Sequence, residues 1–335
     1  MLPVRCFPSW AVFFIILAVF SACEKKQIQR TDFVLGTVCS IRFFKNVPVE
    51  LFDSVFASLY ELDDMLSANK AGNELDAVNK NAGLAPVAVR YELIEVLSRA
   101  LYFASISRDA EGRAAFDPTI GALVKLWGIG GENQRVPAPD EIGAALALCN
   151  WRDVEINQAD GTVFLKQKGM RLDLGAIAKG FAADKAAELI RSFGIERAII
   201  DLGGNIAAIG TKPDGGAYRI GIQDPSRERG TYVGFVEVRN KTLVTSGTYE
   251  RFFEEGGVRY HHILSSETGF PVQNGLLSVT IVGDSSMDAD ALSTTVFALG
   301  WEKGNALLTG IPGTEAIFIF DDGSVRTTSG VTLHQ

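Results

Sequence analysis

Residues 170–191 read MRLDLGAIAKGFAADKAAELIR. Arg171, Leu172 and Asp173 alternate polar and apolar, which predicts a strand. Gly175 marks a turn, and the alanine-rich remainder predicts a helix. A strand turning into a helix puts Asp173 beside a helix N-terminus and Lys179 one turn inside, where backbone donors and a cation can meet an anionic ligand. Gly180 falls within the helix, where glycine costs about 1 kcal/mol relative to alanine. A helix that keeps such a residue often has another element packed against its backbone. The same residues also suit a plain strand-to-helix crossover with a small-residue packing face, and this segment leaves both readings open.

Upstream, the pattern is mainly helical. Leu51 to Leu66 has apolar residues at 51, 52, 55, 56, 59, 62, 65 and 66, a helical spacing, and Tyr91 to Ser107 is a second amphipathic helix. Asp117-Pro118 reads as an N-cap followed by proline at the first helical position, opening a helix over Thr119 to Trp127. Asp140 to Cys149 predicts another helix. Ser67 to Gly83 reads as a loop or broken helix, and Phe33 to Phe43 as a strand interrupted at Gly36-Thr37. Downstream, Asp160-Gly161 and Leu202-Gly203-Gly204-Asn205 are hairpin signals between short apolar runs. Strands are predicted at 217–222, 232–238, 242–246, 258–264, 277–282 and 316–320, with a helix from Met287 to Leu299. Helices gathered early and hairpins late predict an α+β fold with antiparallel sheets and packed helices.

The chain of 335 residues is 47% hydrophobic and 21% charged, which is globular composition. A net charge of -8 argues against a nucleic-acid partner, which needs a basic face. The N-terminus reads as a targeting segment: Arg5 is its only charge before Cys23, and the apolar run from Trp10 to Ala22 suits a signal-peptide core. Phe20-Ser21-Ala22-Cys23 has the form of a lipobox. Residues 1–22 are therefore expected to be a signal peptide, 23–30 a tether lipid-anchored through Cys23, and 31–335 the folded domain, exported to the periplasmic face of a bacterial membrane. An ordinary cleaved signal with a chance cysteine is the alternative. Cys39 and Cys149 lie in apolar contexts and read as buried free thiols.

Three segments could carry chemistry. Gly283 to Thr295 holds Asp284, Asp288 and Asp290 where a strand runs into a helix. Asp290 and Thr294 are four apart and share a helix face. A carboxylate and a hydroxyl leave room for waters and phosphate oxygens, as Mg²⁺ prefers; an acidic helix start answering the macrodipole would look the same. His261 and His262 point to opposite faces of a strand, so one of them at most enters a given site, where it could accept a proton from a hydroxyl. Ala115-Phe116-Asp117-Pro118-Thr119 opens a helix. There is no P-loop, no Rossmann fingerprint and no nucleophile elbow.

Taken in order, LGTVCSI at 35–41, FDPTIGALVKLWGIG at 116–130, DLGAIAKGFAAD at 173–184, DLGGNIAAIG at 201–210, TSGTYERFF at 245–253, HHILSSETGFPV at 261–272 and ADALSTTVFALG at 289–300 resemble the ApbE family, the FAD:protein FMN transferases. The resemblance spans nearly all of the chain after the targeting segment. It implies a T-fold-like α+β arrangement with an FAD cleft between its sub-structures, and Mg²⁺ on the FAD diphosphate. It implies attack by a Ser or Thr hydroxyl of an acceptor protein, release of AMP, and FMN left in phosphoester linkage. Acceptors in the family are flavoprotein subunits of exported or membrane redox complexes such as Rnf and Nqr.

By resemblance, Asp290 and Thr294 match the family's metal ligands, and Ala176 matches the position offering a backbone carbonyl to the metal. Leu35, Asn69, Ala115, Phe116, Asp117, Asp173, Lys179 and Leu264 match FAD-contacting positions. His262 matches the histidine that activates the acceptor hydroxyl. Ser265-Ser266 replaces the family's usual Asp-Pro. A metal-dependent FAD pyrophosphatase and a non-catalytic FAD-binding lipoprotein are the competing functions. Because a helix N-terminus normally points donors outward, the Ala176 carbonyl is expected to depart from the regular helix direction.

Overall fold

The computed structural model describes residues 28–335. The targeting segment and Cys23 lie outside them. The chain opens with β1 (Gln29–Val34) and β2 (Thr37–Phe43), followed by α1 (Val49–Leu66), α2 (Glu74–Lys80), β3 (Val87–Ala88) and α3 (Tyr91–Ile106). Next come α4 (Gly121–Trp127), α5 (Pro139–Leu146), β4 (Val154–Asn157), β5 (Thr162–Leu165) and α6 (Ala178–Ser192). The hairpin strands are β6 (Ala198–Leu202), β7 (Asn205–Ile209), β8 (Tyr218–Gln223), β9 (Tyr232–Val238), β10 (Thr242–Gly247), β11 (Phe252–Glu255) and β12 (Val258–His261). The chain ends with β13 (Leu276–Gly283), α7 (Ser286–Thr309), β14 (Glu315–Phe320) and β15 (Val325–Thr327). This is the expected α+β class. No helix among the described residues is long and apolar enough to cross a membrane.

Eight strands form one sheet in the order β1-β2-β6-β7-β10-β13-β14-β15, every pair antiparallel. Its central strands bury both faces, which explains their unbroken apolar sequences. Val244, Val279, Ile281, Ala316 and Phe318 face one core with α1, α6 and α7. Their neighbours Leu243, Val282, Ile317 and Ile319 face the opposite side, which the β8–β9 ribbon covers with Tyr218, Ile222, Val236 and Val238. This opposition follows from the two-residue period of a strand. A third, smaller cluster joins α4 and α5 to the β11–β12 hairpin through Leu123, Trp127, Ile142, Phe253 and Leu264. The Trp127 indole N–H donates to the Gly269 carbonyl at 2.8 Å, tying that cluster to the loop after β12.

Several sequence expectations are corrected. Gln29 and Arg30, read as tether, belong to β1. The interrupted strand over 33–43 is a hairpin whose turn, Leu35-Gly36, has φ of 57° and 68°. Left-handed conformation at both central residues matches the twist of the flanking strands, and Leu35 adopts it at a cost of roughly 1–2 kcal/mol. Asp117 does not cap a helix. Its carboxylate folds onto the Thr119 N–H at 2.8 Å and hydroxyl at 2.6 Å, and α4 starts only at Gly121. The polar tract 67–83, read as a loop or broken helix, is the latter: it contains the short α2, capped by Asn73, which accepts from the Asp76 N–H at 2.7 Å. α7 carries a break at Gly300, where φ is 76°. Both thiols are free, but Cys149 is only half-buried.

The strand expected over 171–173 is absent. Arg171 forms one parallel bridge with Ile120. Leu172 is held by Asn79 of α2: the Leu172 N–H donates to Asn79 Oδ1 at 2.6 Å, and Asn79 Nδ2 donates to the Leu172 carbonyl at 3.1 Å. A buried asparagine thus takes the place of a neighbouring strand. The segment is also bonded to the 118–121 loop, with the Asp173 N–H donating to the Pro118 carbonyl at 2.9 Å and the Gly121 N–H to the Arg171 carbonyl at 3.1 Å.

Candidate active site

Two helices from distant parts of the sequence make the centre of the site. A Cβ on Gly180 would stand 2.1 Å from the Ser286 carbonyl oxygen and 2.7 Å from Asp290 Cβ. Only glycine lets α6 come this close to α7, which accounts for its place inside a helix. At that contact the Gly180 N–H donates to Asp290 Oδ2 at 2.8 Å. In a regular helix this N–H would bond the carbonyl four residues back, at Ala176. α6 starts at Ala178, so Lys179 is its second residue rather than one turn inside, and Ala176 lies ahead of the helix. The Ala176 carbonyl is thereby released from helical pairing.

The other end of the contact is equally fixed. Asp184 of α6 accepts from the N–H groups of Ser286 at 2.9 Å and Met287 at 3.0 Å and from the Ser285 hydroxyl at 2.8 Å. It therefore caps α7 from outside that helix. The three clustered carboxylates separate. Asp284 is exposed and pairs with Lys241 at 2.7 Å, and Asp288 pairs with Arg99 through both oxygens at 2.6 and 2.7 Å. Asp290 alone turns inward and is 3% exposed. Burial pushes its carboxyl pKa up, opposed by Lys179 and by the backbone N–H groups of Gly180 and Lys179. Thr294, one turn on, shares a 3.0 Å hydrogen bond with the Ser246 hydroxyl of β10.

His261 closes β12 and His262 lies just past the strand end, so the separation of the two rings is not the strand alternation that was expected. His261 is buried, and its Nε2 lies 2.8 Å from the Val272 carbonyl. His262 is half-buried, with Nδ1 3.2 Å from the Arg251 carbonyl. A carbonyl only accepts, so that contact places the proton on Nδ1 and leaves Nε2 with a free lone pair. Burial, with the Arg251 and Lys179 charges, lowers the His262 pKa to about 3. Burial raises the Asp173 carboxyl, against the Gly175 N–H it accepts from at 2.8 Å and the charges of Arg251, Arg171 and Lys179. Lys179 thus lies within the fields of Asp173, His262 and Asp290, and Arg251 within those of Asp173 and His262.

The remaining expected contact residues have the following settings. Half-buried Leu35 packs against the main core. Phe116 is buried edge-on to Phe103, its N–H donating to the Ser107 hydroxyl at 3.2 Å beside half-buried Ala115. Asp117 is buried and its pKa is raised by burial. Leu264 belongs to the third cluster. Asn69 is set apart: it is exposed in the α1–α2 loop, where its N–H donates to the Ser67 hydroxyl at 3.3 Å. Two surface cavities, one lined by Tyr91, Arg99, Tyr102 and Met287 and the other by Arg227, Arg229 and Tyr249, involve none of the site residues. Neither of these cavities corresponds to the expected cleft.

The donor set is one carboxylate, one hydroxyl and one freed carbonyl, all hard oxygens. No group of three His, Cys, Asp or Glu suited to a metal occurs among the described residues. Such a set fits an ion that keeps most of its shell for water and phosphate oxygens.

The sequence profile of the ApbE family matches residues 35–318. The chain belongs to the ApbE family. A FAD:protein FMN transferase of Treponema pallidum is 43% identical over 323 residues, covering 91% of this chain and 88% of the relative. One from Klebsiella pneumoniae is 39% identical, with 83% and 85% covered. The crystal structure of the ApbE protein of Thermotoga maritima superposes with a TM-score of 0.81 at 31% identity, covering 90% of this chain and 96% of that one. The flavin transferase ApbE of Vibrio cholerae gives 0.80 at 29% identity, covering 90% and 97%.

Where this ApbE chain carries Ser265-Ser266 in place of Asp-Pro, the loop is held all the same. Ser265 Oγ accepts from the N–H groups of Glu267 and Thr268, both at 3.2 Å, as an aspartate would in the same turn. The Ser266 hydroxyl donates to the Ala114 carbonyl, linking this loop to the 114–119 segment. Sequence reading missed Asn79, Asp184, Ser246 and Arg251. Asn79 acts on backbone across the fold, so no local pattern marks it, whereas Asp184 closes the quoted motif DLGAIAKGFAAD. Arg251 lies inside a quoted motif, TSGTYERFF, which was the available signal.

Proposed function

We propose that this protein transfers the FMN moiety of FAD to a Ser or Thr hydroxyl of an acceptor protein in a Mg²⁺-dependent reaction, releasing AMP. The observation that carries the reading is the diversion of the Gly180 N–H to Asp290, which leaves the Ala176 carbonyl without its helical partner, while Thr294 stands one turn along α7 from Asp290. Asp290, Thr294 and Ala176 would hold Mg²⁺. When bound, the ion supplies positive charge to diphosphate oxygens and to the departing AMP. Lys179 adds charge at the same anion. Leu35, Ala115, Phe116, Asp117, Asp173 and Leu264 line the FAD site, with exposed Asn69 its least anchored member. His262 Nε2 takes the hydroxyl proton as the oxygen attacks the flavin-side phosphorus and the bond to AMP breaks. Burial and, after it, the Arg251 and Lys179 charges hold this base near 3, weak at neutral pH; an FAD diphosphate would offset the cationic share on binding. The protein is held by a lipid on Cys23 at the periplasmic face of a bacterial membrane, where exported redox flavoproteins of the Rnf and Nqr type are its acceptors.

The test is to incubate the full-length protein with FAD, Mg²⁺ and a candidate acceptor, then denature and look for flavin fluorescence on the acceptor. Labelled acceptor supports transfer. Release of FMN and AMP alone makes the protein a pyrophosphatase, and intact FAD makes it a binder.

Replacing His262 with Gln lowers the transfer rate roughly 100-fold, the usual contribution of a general base. In the substrate-free protein, NMR is expected to show the His262 ring still neutral at pH 5; a midpoint near 6.5 would count against the assignment. The linkage sign follows. Between pH 6.5 and about 3 the unfolded chain binds the proton that the folded His262 refuses, so acidification through that window destabilises the wild type more than His262→Gln.

Leu35 keeps a conformation that glycine would adopt without strain. Leu35→Gly relieves backbone strain but loses side-chain packing, so stability changes by less than about 1 kcal/mol. FAD affinity, measured by flavin fluorescence quenching, falls about tenfold, equivalent to about 1.4 kcal/mol. Unchanged affinity would remove Leu35 from the site.

A further inference from the structure

Arg251 is an exposed cation with no carboxylate of its own among the described residues. The arginines around it are paired: Arg229 with Glu250 at 3.1 Å, Arg227 with Asp224 at 3.4 Å and Arg259 with Glu254 at 3.1 Å. No such pair includes Arg251 among the described residues, although its charge reaches Asp173 and His262.

Its position is nevertheless fixed. The Arg251 carbonyl accepts from the His262 N–H at 3.1 Å and contacts His262 Nδ1 at 3.2 Å. Its Cδ lies 3.3 Å from where a Cβ on Gly130 would stand, and Nη2 is 3.3 Å from where one on Gly36 would stand. The stem therefore lies along the Gly130 loop, and the guanidinium reaches the Leu35-Gly36 turn. One residue anchors the histidine by its backbone and presents a planar, unpaired fork by its side chain. That fork suits two phosphoryl oxygens at once.

We infer that Arg251 is a further catalytic residue of flavin transfer, its guanidinium gripping non-bridging oxygens of the flavin-side phosphate of FAD. This rests on the transferase reading. Because Arg251 is tied to the group that takes the acceptor's proton, the phosphorus within its reach is the one under attack. In that step the acceptor O–P bond forms and the P–O bond to AMP breaks. The hydroxyl proton passes to His262 Nε2, and the electron pair leaves on AMP. Arg251 forms no covalent bond and moves no proton; it steadies charge on oxygens that change geometry.

The experiment compares wild type with Arg251→Ala and Arg251→Lys in full-length protein. Both variants keep the backbone carbonyl that holds His262. Arg251→Ala is expected to lower kcat roughly 100-fold, as loss of one preorganised donor does, with KM for FAD changed by less than about threefold if the grip tightens only as the phosphorus is attacked. Arg251→Lys recovers less than about one-tenth of the lost rate, because an ammonium lacks the fork. Guanidinium ion added to Arg251→Ala restores part of the rate, which a purely structural defect would not allow. Without FAD, the His262 titration midpoint rises in Arg251→Ala as a neighbouring cation is removed. Active wild type with Arg251→Ala within about threefold of its kcat would overturn the inference and leave the transferase reading standing. Wild type that leaves FAD intact would overturn the transferase reading, and the inference with it.

Discussion

Asp290→Asn lowers FMN transfer by roughly 1,000-fold, about 4 kcal/mol of barrier, and abolishes the response of the rate to added Mg²⁺. The variant is chosen because Asn keeps an oxygen for the Gly180 N–H, which Asp290 accepts at 2.8 Å, while removing the charge. Asp284 and Asp288 cannot substitute, since each is committed to a cation elsewhere. The proposed donor set contains a single carboxylate, so its loss leaves only neutral oxygens to hold a divalent ion. Burial pushes the Asp290 pKa up, so the metal-free site is also the more sensitive to acid. Calorimetric titration with Mg²⁺, alongside the transfer assay, separates a binding defect from a chemical one. Full activity with unchanged Mg²⁺ dependence would sink the assignment.

Gly180→Ala destabilises the protein by about 3 kcal/mol and weakens Mg²⁺ binding with it. On helix propensity alone the change should gain up to about 1 kcal/mol. The new methyl would meet the Ser286 carbonyl oxygen at 2.1 Å, and that oxygen is backbone, so no rotamer change relieves the contact. α6 and α7 must separate, which stretches the bond to Asp290 and displaces the donors from one another. Gly143→Ala is the control. Gly143 lies in α5 with nothing within 4 Å of the added carbon, and it is expected to stabilise by about 0.5–1 kcal/mol. Denaturant midpoints shifted in opposite directions would bear out the packing account. Equal shifts would reduce Gly180 to a helix-propensity effect.

Much of the architecture was legible because it is written in local periodicity. The helical spacing from Leu51 to Leu66 and the Gly-containing turns at Asp160-Gly161 and Gly203-Gly204 need no distant partner to be read. The segment around Asp173 was misjudged for the opposite reason. Its alternation of half-buried polar and buried apolar residues comes from Asn79 on one side and the 118–121 loop on the other, not from a sheet. Leu35 gave no sign of a left-handed turn, because leucine is not a turn residue and its strain is visible only in the backbone. Asp284, Asp288 and Asp290 were equivalent in composition; which one faces inward depends on α7 meeting α6. Family resemblance supplied that choice before geometry could.

The bond between Gly180 and Asp290 joins residues 110 positions apart in the chain. No hairpin or single helix can assemble the proposed ligand set by itself. A chain that has formed its sheet but not seated its late helix has nowhere to hold a divalent ion. Loop closure over such separations makes native pairing slow. Flavin turnover should therefore switch on at the end of folding, in step with the last tertiary contacts, making catalysis itself a clock for maturation.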